Sequence, residues 1–220
     1  MTPKPPAQPP AQAPAKDSAF GSADPARHAE KMKKKKSARD RMMAEKTADK
    51  GLLIVHTGTG KGKSSAAFGM ALRCIGHGMK VGVVQFVKGM WQTGERTVFD
   101  RFPDLCVFKA MGEGFTWETQ DKERDIAAAK RALEAARAML ADPEFRMVIL
   151  DEINIALRYG YLSLEEVLEA VRARPELTHA VLTGRGAPEG LIEAADLVTE
   201  MTLVKHPFRA GIKAQKGVEF

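Results

Sequence analysis

Leu52-Leu53-Ile54-Val55 is a short apolar run, and it leads directly into His56-Thr57-Gly58-Thr59-Gly60-Lys61-Gly62-Lys63-Ser64-Ser65. An apolar run of this length that ends in a glycine-rich loop reads as a fully buried strand. Ser64 to Ile75 then reads as a helix, stopped by Gly76-His77-Gly78. A strand, a glycine loop and Gly-Lys-Ser at the start of a helix form the context of a phosphate-binding loop. Successive backbone N–H groups in such a loop make a concave anion site, and the helix N-terminus adds partial positive charge. Glycines let the loop close around phosphate oxygens without Cβ clashes; Lys63, expected at an exposed loop–helix junction, supplies a point charge, and Ser64 a hydroxyl for Mg²⁺. The alternative is a glycine-rich turn without a ligand.

The rest of the chain alternates in the same way. Lys80 to Val87 and Cys106 to Ala110 read as strands, Gln120 to Leu140 as an amphipathic helix, and Met147 to Leu150 as a buried strand. Ser163-Leu-Glu-Glu166 is a capping box that opens another helix. His179 to Leu182 is a strand before Thr183-Gly184-Arg185-Gly186; Leu191 to Ala195 is a short helix and Leu197 to Val204 a last strand. This order gives an α/β fold, a mostly parallel central sheet with helices on both faces. Ligands of such sheets bind beyond the carboxyl ends of the strands. The loops after the first strand, after Asp151-Glu152 and after Thr183 are therefore expected to converge on one edge.

Charge divides the chain. Residues 1–50 carry 12 Lys+Arg against 6 Asp+Glu, whereas the other 170 residues carry 22 of each. The basic balance belongs to the N-terminal segment, and a neutral domain argues against a nucleic-acid face. Residues 1–26 hold seven of the twelve prolines and cannot bury enough apolar area to order themselves. The expected organisation is a Pro/Ala-rich disordered tail over 1–27, a basic polar helix over 28–50 containing Lys33-Lys34-Lys35-Lys36, and an α/β catalytic domain over 51–220. Cys74 and Cys106 are the two cysteines, read as buried free thiols. No apolar run approaches a membrane span and no signal segment follows the N-terminus, so a cytoplasmic protein without a membrane partner is expected. His56, His77, His179 and His206 lack metal-ligand spacing and read as structural or solvated.

Two details refine the loop reading. The usual spacing puts a glycine five residues before the Gly-Lys pair; here that position is Thr57, and the first glycine is Gly58. A loop shortened by one residue changes which phosphate sits deepest and weakens the case for ordinary γ-phosphoryl transfer. Val148-Ile149-Leu150-Asp151-Glu152 resembles a Walker B strand end, where a carboxylate holds Mg²⁺ directly or through water.

The segment Gly58-Thr-Gly-Lys-Gly-Lys-Ser-Ser-Ala-Ala-Phe-Gly69 resembles the P-loop-type corrinoid (cobalamin) adenosyltransferase family, which shares the shortened loop. The resemblance continues through Gly78 to Gly89, Gly94-Glu-Arg96, Gly114-Phe-Thr-Trp-Glu-Thr-Gln120, Thr183-Gly-Arg-Gly186, and Val204-Lys-His206 to the terminus. It covers roughly residues 28–220. Ser64 stands where the family often has threonine and keeps the hydroxyl; Thr59 stands where asparagine is common.

The resemblance implies a P-loop NTPase (RecA-like) architecture and a cob(I)yrinic acid a,c-diamide or cob(I)alamin adenosyltransferase. The 5′-deoxyadenosyl group of ATP would pass to cobalt(I) of a corrinoid, giving an adenosylcobalamin-type coenzyme and triphosphate. It implies phosphate contacts from Gly58, Thr59, Gly60, Lys61, Gly62, Lys63, Ser64 and Ser65, with ATP reversed along the loop, and a metal site of Mg²⁺ or Mn²⁺ at Ser64 and Glu152. Arg185, after a strand end, is a further ATP-contact candidate. Phe115 and Trp117 match the two aromatics that displace the lower axial ligand of cobalt(II), and Lys63 is the catalytic cation. The segment 28–50 matches a helix that caps the corrinoid site, often that of the partner subunit. A homodimer and an electron donor such as a reduced flavoprotein are also implied.

Two other readings stay open on the motifs alone. A small-molecule kinase would use the same loop and release ADP. A nucleic-acid-dependent ATPase would add salt-sensitive DNA binding.

Overall fold

The computed structural model describes residues 25–87, 93–112 and 121–219. It divides into two units, Met1–Ala48 and Asp49–Phe220. In the first, helix α1 (Pro25–Ala44) has Pro25 and Ala26 in its first turn, and residues 46–50 are not helical.

The second unit runs β1 (Leu53–Thr57), α2 (Lys63–Gly76), β2 (Lys80–Gln85), α3 (Gly94–Phe99), β3 (Cys106–Ala110), α4 (Lys122–Ala141), β4 (Phe145–Asp151), α5 (Ile153–Arg158), α6 (Leu164–Arg172), β5 (His179–Thr183), α7 (Glu189–Ala194) and β6 (Leu197–Glu200). A 3₁₀ turn, Pro207–Ala210, follows. All six strands are parallel, in the order β3-β2-β4-β5-β1-β6. Strand β5 is inserted between the loop-bearing β1 and the acid-bearing β4, the RecA-like arrangement that the resemblance implied.

Alternation along the strands builds two cores. Leu53, Val55, Val148, Leu150, Ala180 and Leu182 face α4, α6 and α7. Ile54, Val83, Met147, Ile149 and Val181 face α2 and α3, where Phe99 packs edge-on to Phe68. Each residue moved along a strand changes face, so a run such as Leu53-Ile54-Val55 is apolar throughout because both faces are covered.

The elements follow the sequence pattern closely, with small shifts. The last strand stops at Glu200 instead of Val204: β6 is an edge strand whose four residues are exposed, and beyond it Met201 turns its backbone to Thr57 and to Gly60 of the loop. The second strand ends at Gln85, two residues before Val87. The capping box is formed: Ser163 Oγ accepts from the Glu166 N–H (3.2 Å), and the Glu166 carboxylate accepts from the Ser163 N–H (2.8 Å). Helices α3 and α5, six residues each, lie outside the sequence reading. Cys106 is buried and Cys74 half-buried, both free; burial pushes the Cys106 thiol up to about 11.

Candidate active site

The three expected loops meet at the carboxyl edge of the sheet. The Gly184 N–H donates to the His56 carbonyl (3.1 Å), and the Ala187 N–H donates to Thr57 Oγ1 (3.1 Å). The Glu152 N–H donates to Thr183 Oγ1 (2.9 Å). The end of β1 that leads into loop 58–62, the β4–α5 corner and the segment 183–187 are thus stitched together by hydrogen bonds.

The shortened phosphate loop has a physical reason. Thr57 is still the last residue of β1, with its hydroxyl committed to Ala187, so the turn begins one residue later, at Gly58. Gly58 (φ 95°) and Gly62 (φ 106°) occupy the left-handed region, which glycine enters without a Cβ penalty. Gly60 is needed for a different reason: a Cβ there would lie 2.6 Å from the Thr202 carbonyl oxygen. Its N–H donates to Met201 O (2.6 Å), so the chain after β6 braces the outer half of the loop. Lys61, on that half, pairs with Glu219 near the C-terminal end. His56 Nδ1–H donates to the Lys63 carbonyl (3.1 Å) and ties the strand end to the start of α2.

Lys63 was expected at an exposed loop–helix junction; it is instead buried, 7% exposed. The loop wraps over it, and its ammonium donates to the Gly60 carbonyl. Burial, more than any other influence, pulls its pKa below the ordinary lysine value, Glu152 opposes this, and Arg185 and Lys61 add to it. Those four side chains therefore share one electrostatic neighbourhood. A desolvated ammonium at the base of an anion cradle attracts phosphate far more strongly than a hydrated one.

Ser64 is half-buried in the first turn of α2, Ser65 is exposed there, and Arg185 is exposed beyond β5. Glu152 follows β4 at φ 63°, ψ 18°, the one non-glycine with positive φ among the described residues. A left-handed glutamate costs on the order of 1–2 kcal/mol. Gly184 (φ 130°) lies beside it: a Cβ there would sit 3.3 Å from Glu152 Oε2 and 2.9 Å from Asn154 Cβ. Asp151 is fully buried. Phe115 and Trp117 lie outside the described residues, so the axial-ligand assignment stays an expectation. Three of the expected structural histidines have defined partners: besides His56, His179 Nδ1 accepts from the Leu52 N–H (3.0 Å) and His206 Nδ1 from the Phe208 N–H (3.1 Å).

Sequence reasoning missed Gln85, Thr183 and Glu219 as members of this corner. Thr183 carried a signal, its place at a strand end before Gly-Arg-Gly. Gln85 and Glu219 carried none that is local.

Among the described residues no group of three His, Cys, Asp or Glu is placed to hold a metal ion. Mg²⁺ on a nucleotide needs only one or two carboxylates besides phosphates and water. Ser64 in the first turn of α2 and Glu152 after β4 would offer a hydroxyl and a carboxylate, a donor set that fits.

A parallel sheet with this strand order and a glycine loop over a buried lysine defines a P-loop nucleotide-binding protein of the α/β class. Residues 49–220 match the family model described as ATP:corrinoid adenosyltransferase BtuR/CobO/CobP. The chain is 60% identical over 194 residues to a corrinoid adenosyltransferase of Pseudomonas aeruginosa, covering 88% of this chain and 96% of that protein. A corrinoid adenosyltransferase of Sinorhizobium sp is 60% identical over 199 residues, 90% of this chain and 93% of the relative. That of Escherichia coli K12 is 45% identical over 194 residues, 88% and 98% respectively. The chain belongs to the ATP:corrinoid adenosyltransferase family; it is a transferase that moves the adenosyl group of ATP to the cobalt(I) of a corrinoid.

Proposed function

We propose that the enzyme grips ATP by its triphosphate in loop 58–65 and releases that triphosphate when cobalt(I) attacks the 5′ carbon. The observation that carries this is the buried Lys63 ammonium, enclosed by the loop and donating to the Gly60 carbonyl, with Glu152, Arg185 and Lys61 acting on its charge. Lys63 and the inner-loop N–H groups stabilise the charge that grows on the leaving oxygen, and fixed donors of this kind act without reorganisation. The rest of the loop aims the carbon at cobalt, a contribution of position. Ser64 and Glu152 would hold Mg²⁺, or Mn²⁺, against the phosphates. When bound, that ion neutralises charge on the phosphate oxygens. Lys61 and Arg185 complete the cationic rim.

On the corrinoid side, Phe115 and Trp117 would displace the lower axial ligand of cobalt(II), and helix α1 would cap the site in a homodimer. The electron would come from a donor such as a reduced flavoprotein, and the product would be an adenosylcobalamin-type coenzyme. Among the described residues no helix is long and apolar enough to cross a membrane, in keeping with work in the cytoplasm.

Lys63→Met tests the reading, because methionine fills the buried space that alanine would leave empty. Protein, Mg-ATP and chemically reduced cobalamin are mixed and the corrinoid's visible spectrum is followed, with triphosphate and ADP assayed. Transfer should fall by about 10²–10³ with an unchanged melting curve. Near-normal turnover, or ADP as the product, defeats the assignment.

A further inference from the structure

Two carboxylates stand side by side at the end of β4, and the fold gives them different surroundings. Asp151 has no exposed surface. Its Oδ2 accepts from Gln85 Nε2 (2.9 Å) on β2, and its Oδ1 accepts from Thr183 Oγ1 (2.7 Å) on β5. The Thr183 hydroxyl has one proton, and it is given to Asp151. Its lone pairs are then turned to its other partner, the Glu152 N–H, at 2.9 Å. The direction of every bond in Gln85–Asp151–Thr183–Glu152 is thereby fixed. The last member is the residue in the left-handed conformation, φ 63°. An unfavourable backbone setting persists only where its surroundings over-determine it.

We infer that Asp151 is a positioning residue acting through Thr183, which holds the Glu152 backbone so that its carboxylate faces the phosphate loop, and that Asp151 is not itself a metal ligand. The inference rests on the reading of Glu152 as the metal carboxylate. It divides the Walker B-like pair: the first acid is consumed inside the protein and the second is presented to the nucleotide. Partners behind a metal ligand commonly govern affinity by about 10–100-fold when changed.

The test uses the full chain, Mn²⁺ as a paramagnetic probe and ATP, without corrinoid. Mn²⁺ affinity of the nucleotide complex is measured by electron paramagnetic resonance, with melting curves for each variant. Thr183→Val keeps the shape and removes the hydroxyl; it should weaken Mn²⁺ about tenfold or more. Thr183→Ser restores the hydroxyl and should return Mn²⁺ binding to normal. Asp151→Asn keeps an acceptor for Thr183, with the Gln85 amide free to turn over, and should lose less than about tenfold. Glu152→Gln should lose the most.

Normal Mn²⁺ binding in Thr183→Val, or equal loss in the Val and Ser variants, overturns the relay. Asp151→Asn as damaging as Glu152→Gln makes Asp151 a ligand and overturns it as well. Normal binding in Glu152→Gln instead removes the reading on which the relay rests, a separate failure. Should Thr183→Val fail to fold, the Asp151→Asn and Glu152→Gln pair still decides.

Discussion

Helices α1 and α4 are both 20 residues long, about 30 Å of helix each, yet they are held by different forces. Helix α4 starts from an Asp121 cap that accepts the Arg124 N–H (3.1 Å), carries Glu123 and Asp125 in its first turn, and buries Ala128, Ala129, Ala132, Leu133, Ala136, Met139 and Leu140. Among the described residues, α1 buries none. It has no acidic residue in its first turn; Pro25 stands at its start, Arg41 in its last turn, and the side-chain pairs Glu30–Lys34 (2.7 Å) and Arg41–Ser37 (3.5 Å) lie on its exposed surface. Such a pair contributes only a few tenths of a kcal/mol. Tertiary burial makes α4 part of the domain; length and propensity alone make α1 a helix. A helix that costs little to reshape and carries four consecutive lysines suits a cap that orders on a ligand.

The sharpest way to break this contrast is to put a charge on each helix. Ala132→Asp places an unpaired carboxylate at a position with no exposure; the cost of several kcal/mol rivals the whole stability of a domain. No cooperative melt near the wild-type temperature is expected. Ser37→Asp on α1 should change stability by no more than about 0.5 kcal/mol. Equal melting curves for the two variants would refute the distinction.

Deletion sharpens the same point functionally. Removing residues 1–47 should weaken corrinoid binding while leaving ATP binding intact, and removing 1–26 should change little. Binding titrations with each ligand check this, and indistinguishable behaviour of the two deletions contradicts the capping role.

A smaller effect probes how α4 begins. Asp121→Ala removes the cap and should lower stability by about 1 kcal/mol in chemical denaturation. A similar loss on replacing Pro25 at the start of α1 would be unexpected, since no folded core depends on that turn.

The smallest effect is a pH dependence in α6, the neighbour to which Arg137 of α4 donates through the Glu166 carbonyl (2.9 Å). Hydrogen bonds from Ser163 hold the Glu166 carboxyl below its ordinary value of 4.5. A depressed carboxylate stabilises the fold above its unfolded pKa, and that contribution fades as pH falls below about 4.5 through the folded value. Glu166→Gln keeps a capping acceptor and should flatten this part of the stability–pH curve. An unchanged slope would mean that the box does not titrate.

The sequence by itself determined the parts whose causes are local. Apolar runs fixed the buried strands, Gly-Lys-Ser after a strand fixed the phosphate loop, and Ser163 with Glu166 fixed a helix start within four residues. Only the tertiary structure decided what the pieces do to one another. Lys63 reads as exposed because lysine is usually hydrated; the loop folding over it takes it out of water. Gly60 reads as clearance for phosphate, but the Met201–Thr202 backbone occupies that side. Asp151 and Glu152 are chemically equivalent neighbours on paper. Gln85, 66 positions earlier, and Thr183, 32 positions later, claim the first and leave the second to face the loop. Burial and hydrogen-bond partners are properties of chain segments brought together from far apart, and a local pattern carries no record of them.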